Sequence, residues 1–262
     1  MKKLSNKKSL VTGASRGIGK AIALQLAGEG CTVGVHYRDR EDEAKAVVAE
    51  IEKQGGKAYL FQADLANTEG VIAMGTNAWE TMSGIDFLIN NAGISYKKHF
   101  LDYSIDDINQ FTDINFKGTF FLTQTIARLM VASNTEGSIY TITSVNGIRP
   151  GLGLSAYGAT KGALETLMKG VAMEMAPHHI KVNTLALGAV ETDMTAGVIN
   201  DPVLLKEVNE GIPMGRFGHA DEIAHVLVDL VSSGSYITGS SITIDGGLLL
   251  MRGYEKNKKY KF

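Results

Sequence analysis

The sequence predicts an α/β fold: a doubly wound, seven-stranded parallel sheet with helices on both faces, in one domain spanning residues 1–262. Short apolar runs alternate with longer helical patterns from end to end, and the runs are apolar on both faces rather than on one. Strands of that kind belong in a sheet covered on both sides, as parallel strands joined by helical crossovers are. A glycine cluster directly after the first run marks a strand–turn–helix passage, the third observation behind the prediction.

In order, residues 9–12 form the first predicted strand, and 17–29 the first helix. Residues 32–36 form the second strand, followed by a helix over about 42–54. Residues 58–61, 86–90, 137–143, 181–186 and 241–245 supply the remaining strands. Right-handed crossovers place ligands at the carboxyl ends of such strands. There is no Pro/Ser-rich linker and no internal repeat. A net charge of −2 gives no electrostatic reason to expect nucleic acid or an anionic membrane as partner. The one cysteine, Cys31, excludes an intrachain disulfide and sits in a strand-like run, as a buried thiol would. No signal-peptide pattern follows the lysine-rich start, and no apolar run approaches the ~18 residues of a membrane span, so a cytoplasmic protein is expected. No metal site is expected.

After the first strand comes Thr12-Gly13-Ala-Ser15-Arg16-Gly17-Ile18-Gly19, which opens a helix. Glycines let the backbone turn tightly and approach a pyrophosphate, and the N–H groups of the following helix bind the phosphates. In its strand–loop–helix context this is a Rossmann-type nucleotide loop. An acidic residue at the end of the second strand would hydrogen-bond an NAD ribose. This chain reads His36-Tyr37-Arg38 there, with Asp39 one step later in the loop. Arg16 and Arg38 together form a guanidinium clamp suited to a 2′-phosphate; otherwise they are two solvated arginines. NADP is the preferred cofactor, with NAD possible.

Tyr157 and Lys161 lie four apart, on one helix face, with Ser144 thirteen positions upstream (157 − 144). A neighbouring ammonium favours the phenolate and lowers a tyrosine pKa from roughly 10. Such a phenol exchanges protons in carbonyl–alcohol chemistry. Alone, the pair is a common helical coincidence.

Taken together, these motifs resemble the short-chain dehydrogenase/reductase family over residues 7–247. Thr12-Gly13-x-x-x-Gly17-Ile18-Gly19 is similar to its cofactor loop, Asp64-Leu65 to its adenine contact, and Asn90-Asn91-Ala92-Gly93 to its NNAG motif. Asn115, Ser144, Tyr157 and Lys161 match its catalytic tetrad, and residues 188–192 its nicotinamide carboxamide segment, with Gly188, Val190 and Thr192 as contacts. The resemblance implies that Ser144 hydrogen-bonds the substrate carbonyl and Tyr157 protonates it as hydride arrives. It implies that Lys161 tunes the tyrosine and binds the nicotinamide ribose, while Asn115 holds a water relaying protons to Lys161. Two departures stand out. Leu187 occupies a place where the family usually has proline, which frees φ and adds a backbone donor. Residues 192–215, rich in Met, Gly and charge, resemble a mobile substrate lid.

The resemblance implies a small-molecule carbonyl or alcohol substrate. Ketone reduction like that of 3-oxoacyl-carrier-protein reductases is favoured by Pro213-Met-Gly-Arg-Phe-Gly218 and Tyr236-Ile-Thr-Gly239. Where those enzymes present basic residues to an acidic carrier protein, this chain has Asn134-Thr135-Glu136 and Pro177-His178-His179, a poor dock. The alternative is a sugar or polyol dehydrogenase resembling glucose 1-dehydrogenases, which also extend past a final Asp-Gly-Gly. A third, a non-catalytic NADP-binding protein, predicts loss of the tyrosine or lysine, and both are present. A homotetramer is expected on family grounds, with the 248–262 tail either flexible or at a subunit contact.

Overall fold

A computed structural model describes residues 2–251; the remainder of the predicted tail lies outside the described residues. The chain runs β1 (Lys8–Val11), α1 (Gly17–Gly28), β2 (Thr32–Tyr37), α2 (Glu41–Lys53), β3 (Lys57–Gln62), α3 (Thr68–Met82) and β4 (Phe87–Asn90). Next come α4 (Ile105–Phe111), a π-helical segment (Thr112–Gly118), α5 (Thr119–Ala132), β5 (Ser138–Ser144) and α6 (Ser155–Met175). The series ends with β6 (Lys181–Leu187), α7 (Ala196–Ile199), α8 (Pro202–Glu210), α9 (Ala220–Ser233) and β7 (Ser241–Ile244).

All seven strands join one parallel sheet in the order β3-β2-β1-β4-β5-β6-β7. The predicted strands fall within a residue of these bounds, because a strand apolar on both faces has no other place in the fold. Each face has its own core. Along β1, Val11 packs with α1, α2 and α9 residues such as Ile22, Val47 and Leu227, while its neighbour Leu10 packs with Leu122, Ile126 and Leu164 on the other side. That is strand alternation with both faces buried. Full burial of side chains such as Ile22, Ile89 and Leu122 contributes roughly 1.5–3 kcal/mol each. Cys31 is buried as expected, and burial pushes its thiol up to about 12. No described helix is long and apolar enough to cross a membrane.

Strand order reverses between β1 and β4, so the connections leaving their carboxyl ends part to opposite faces and open a crevice. Leu187, the departure from proline, is the last residue of β6, in register with Ser144 on β5 and Ile244 on β7. Strand pairing thus restrains the backbone that a proline ring would have held.

Candidate active site

The crevice holds a cavity of about 330 Å³ that runs from the ends of β2 and β3 across to the ends of β5 and β6. At the β2 end it is lined by Gly13, Ser15, Arg16, Gly17, Ile18, Arg38, Asp64 and Leu65. Asn91, Ala92 and Gly93 line its middle, and Ser144, Tyr157, Lys161, Gly188, Val190 and Thr192 its far end. Gly19 is absent from the wall. A Cβ there would stand 2.2 Å from the Gly13 carbonyl oxygen, so this glycine is required where α1 passes under its own loop. Gly13 turns the loop with φ +62°, a conformation that favours glycine.

Side chains bolt this loop in place. Thr12 Oγ1 accepts from the Asn91 and Ala92 N–H groups at 2.9 and 3.0 Å, and Asn91 Nδ2 donates to the Thr12 and Gly13 carbonyls. The buried His36 adds a further bolt. The Gly13 N–H donates to its Nδ1 at 3.0 Å, and its Nε2 faces the Ala63 carbonyl at 3.1 Å, which assigns the ring proton to Nε2. Burial pushes the imidazole down to about 4, so it is neutral at ordinary pH. In the sequence His36 marks only the absence of an acid; its structural role is set by the fold.

Both clamp arginines reach the cavity, each already engaged. Arg16 pairs with Asp193, joining the glycine loop to the segment after β6, and Arg38 Nε donates to Asp39 at 2.6 Å. Exposed pairs of this kind contribute about 0–1 kcal/mol and exchange readily for a stronger anion. The N-terminus of α1 has no side-chain cap, which leaves first-turn N–H groups for a phosphate.

At the far end, Ser144 closes β5, and α6 brings Tyr157 and Lys161 against it. The Ser144 Oγ accepts from the Asn146 backbone N–H at 3.1 Å and from Asn146 Nδ2 at 3.2 Å. Asn146 is held in turn by accepting the Gly151 N–H at 2.9 Å. With both lone pairs engaged, the serine hydroxyl has only its proton left to offer. Lys161 Nζ donates to the Ile142 carbonyl at 2.9 Å and lies 5.9 Å from the Tyr157 ring centre.

Burial raises the Tyr157 phenol above its ordinary value, with a Ser144 hydrogen bond pulling it back, in place of the net lowering expected from the neighbouring ammonium. The ammonium is itself depressed to about 8 by burial, with the Glu165 charge opposing that fall, and it spends a donor on Ile142.

Asn115 stands behind the wall, fully buried in the π-helical segment rather than in a regular helix. Its amide accepts from the Ile94 N–H at 2.8 Å and donates to the Ile94 carbonyl and Thr160 hydroxyl. A Cβ on Gly93 would sit 3.1 Å from Asn115 Oδ1 and 3.5 Å from Lys161 Nζ, which places the three together. π-turns of this sort recur at functional sites.

Residues 13–249 match a family model described as Enoyl-(Acyl carrier protein) reductase. The chain is 42% identical to the 3-oxoacyl-[acyl-carrier-protein] reductase FabG of Aquifex aeolicus over 94% of its own length and 98% of that protein's. The chain belongs to the short-chain dehydrogenase/reductase family. As a short-chain dehydrogenase/reductase it is an oxidoreductase, and solved members superpose on it closely. A short-chain dehydrogenase from Burkholderia cenocepacia, solved with NADP, aligns with TM-score 0.87 and 34% identity, covering 94% of this chain and 99% of that one. A gluconate 5-dehydrogenase from the same organism, solved with NADP and tartrate, aligns with TM-score 0.90 and 30% identity over 95% and 97%.

Proposed function

We propose that this family member is an NADP-dependent ketoreductase that reduces the ketone of a 3-oxoacyl thioester or a related ketone, with Tyr157 as proton donor. The observation that carries the reading is one cavity with Ser144, Tyr157 and Lys161 at one end and Arg16 and Arg38 at the other. The residues present fit the cofactor: the turn at Gly13 and the uncapped start of α1 suit its diphosphate, and the two arginines suit its 2′-phosphate. Lys161, Asn91, Gly188, Val190 and Thr192 would hold the nicotinamide half. When bound, the cofactor supplies the hydride. Ser144, with its lone pairs occupied, donates its proton as a hydrogen bond to the substrate oxygen. Tyr157, kept protonated by burial at neutral pH, gives its proton to that same oxygen. Lys161, charged below about 8, stabilises the phenolate left behind. Asn115, its amide committed to Ile94 and Thr160, would serve the proton relay through its backbone in the widened turn. The 192–215 segment, which contains α7 and α8, helices without a fully buried residue, would act as the substrate lid.

The similarity to 3-oxoacyl-carrier-protein reductases, 37–42% identical, supports the thioester reading. The second reading is a sugar-acid or polyol dehydrogenase, favoured by the gluconate 5-dehydrogenase superposition and by Glu136 at the expected carrier dock. Assembly into a homotetramer belongs to the same proposal, supported by apolar side chains bare in the single chain: Phe100, Leu101 and Ile105 are 73–81% exposed.

Initial rates with acetoacetyl thioesters, simple ketones and sugar acids, each with both cofactors, test the reading. We expect the thioester to turn over fastest, and kcat/KM with NADPH to exceed that with NADH by about tenfold or more. Arg38→Ala is expected to erase that preference, since one charged contact of this type contributes ~1.5–3 kcal/mol. Fastest turnover of a sugar acid would select the second reading. An NADH preference unmoved by Arg38→Ala would remove the clamp.

A further inference from the structure

Past β7 the chain folds back at once. Asp245 organises the turn: its Oδ1 accepts the Gly247 N–H and its Oδ2 the Leu249 N–H, each at 2.8 Å. Gly246 and Gly247 hold φ at +61° and +87°, and Leu248–Leu250 form a 3-10 turn. Residues 245–251 lie outside the cavity wall, yet three parts of its catalytic end meet them. A Cβ on Gly188 would stand 2.7 Å from Asp245 Cα, so the backbone after β6 is packed directly against the turn. The Met214 N–H, near the end of the 192–215 segment, donates to the Gly246 carbonyl at 3.1 Å, and Pro213 lies where a Cβ on Gly247 would come within 2.9 Å.

The third part is the loop between Ser144 and Tyr157, and Arg149 ties it in. Its Nη1 donates to the Met251 carbonyl at 2.6 Å and its Nη2 to the Leu248 carbonyl at 2.8 Å, 102 and 99 positions away in the chain. Carbonyls at the end of a helical turn are acceptors for a nearby cation, and a planar guanidinium can meet two at once. The loop held in this way is the one that aims Ser144. Arg149 lies between Asn146, which donates to Ser144 Oγ, and Gly151, whose N–H fixes Asn146. Its own N–H donates to the Val145 carbonyl at 2.8 Å, so the guanidinium and the Ser144 contact spring from one short turn.

We propose that Arg149 is a positioning residue that fastens the loop aiming Ser144 to the Asp245 turn, against which the Gly188 backbone and the end of the 192–215 segment are packed. This rests on the role given to Ser144 above.

Arg149→Met, which keeps the length and loses the donors, and Arg149→Lys, which keeps a donor, decide it. Arg149 is exposed, so neither change opens the core. With the ketone that wild type reduces fastest, kcat of Arg149→Met should fall about fivefold, because the Ser144 hydrogen bond is used in the transition state, while the NADPH Kd stays within about twofold. Arg149→Lys should recover part of that loss. In a Ser144→Ala background, Arg149→Met should cost almost nothing further. An unchanged kcat, or a loss as large without Ser144 as with it, would overturn the proposal. Hydrogen exchange supplies a readout that needs no catalysis. The Gly151 amide, bonded to Asn146, should exchange about tenfold faster in Arg149→Met, with Leu10 on β1 at its wild-type rate. Equal exchange at Gly151 in both proteins would show that Arg149 does not hold the loop. A wild-type protein that reduces no ketone would overturn the proposed function, while Gly151 exchange would still decide whether Arg149 fastens the loop.

Discussion

At the scale of single residues, the directional group is the Ser144 hydroxyl. Two donors from Asn146 occupy its lone pairs, so its proton has one direction left to point. Asn146→Ala removes the side-chain donor and lets the hydroxyl turn. Steady-state kinetics should show kcat down about tenfold, less than the roughly 10²–10³ that loss of the donor itself costs, because the hydroxyl is misdirected and not removed. In a Ser144→Ala background the same change should cost almost nothing further; an equal additional loss would show Asn146 acting elsewhere. Ser144, Tyr157 and Lys161 were legible in the sequence because the resemblance to the short-chain dehydrogenase/reductase family singles them out; the helical spacing of Tyr157 and Lys161 alone is a common coincidence. Asn146, His36 and Arg149 were not, because each works through a partner brought in by the fold: a turn, a glycine loop, the segment after β7. The sign of the tyrosine tuning was missed for the same reason. Spacing reveals a nearby charge, whereas burial belongs to the folded molecule.

At the scale of elements, the passage from β1 into α1 is fitted to one backbone path. A Cβ on Gly19 would meet the Gly13 carbonyl oxygen at 2.2 Å, and the loop cannot retreat while His36 and Asn91 hold it. Gly19→Ala should raise the NADPH Kd more than tenfold, as a displaced loop loses several phosphate contacts, and lower the Tm by a few degrees, as for overpacking of about 1–3 kcal/mol. Unchanged NADPH binding in a fluorescence titration would show that the loop has more freedom than this packing allows. The strands were legible to within a residue. The π-helical segment around Asn115 was not, since Thr112–Gly118 carries no local feature that distinguishes a wide turn from a regular one. Leu187 illustrates the opposite case: the missing proline suggested a looser segment, and the sheet supplies the restraint.

At the scale of the whole molecule, strand order does the work. The reversal between β1 and β4 brings the ends of β2 and β5 into one cavity, so that Arg38 and Tyr157, 119 positions apart in the chain (157 − 38), line the same space. A doubly wound sheet of this order was legible from the alternation of elements. The identity of the carbonyl was not, because composition does not encode the shape of the cavity's substrate end. The central claim is proton transfer from Tyr157, and the most direct test is NADPH oxidation by an acetoacetyl thioester in wild type and Tyr157→Phe. Loss of about a thousandfold in kcat with NADPH binding retained is the predicted result; turnover within a fewfold of wild type would contradict it.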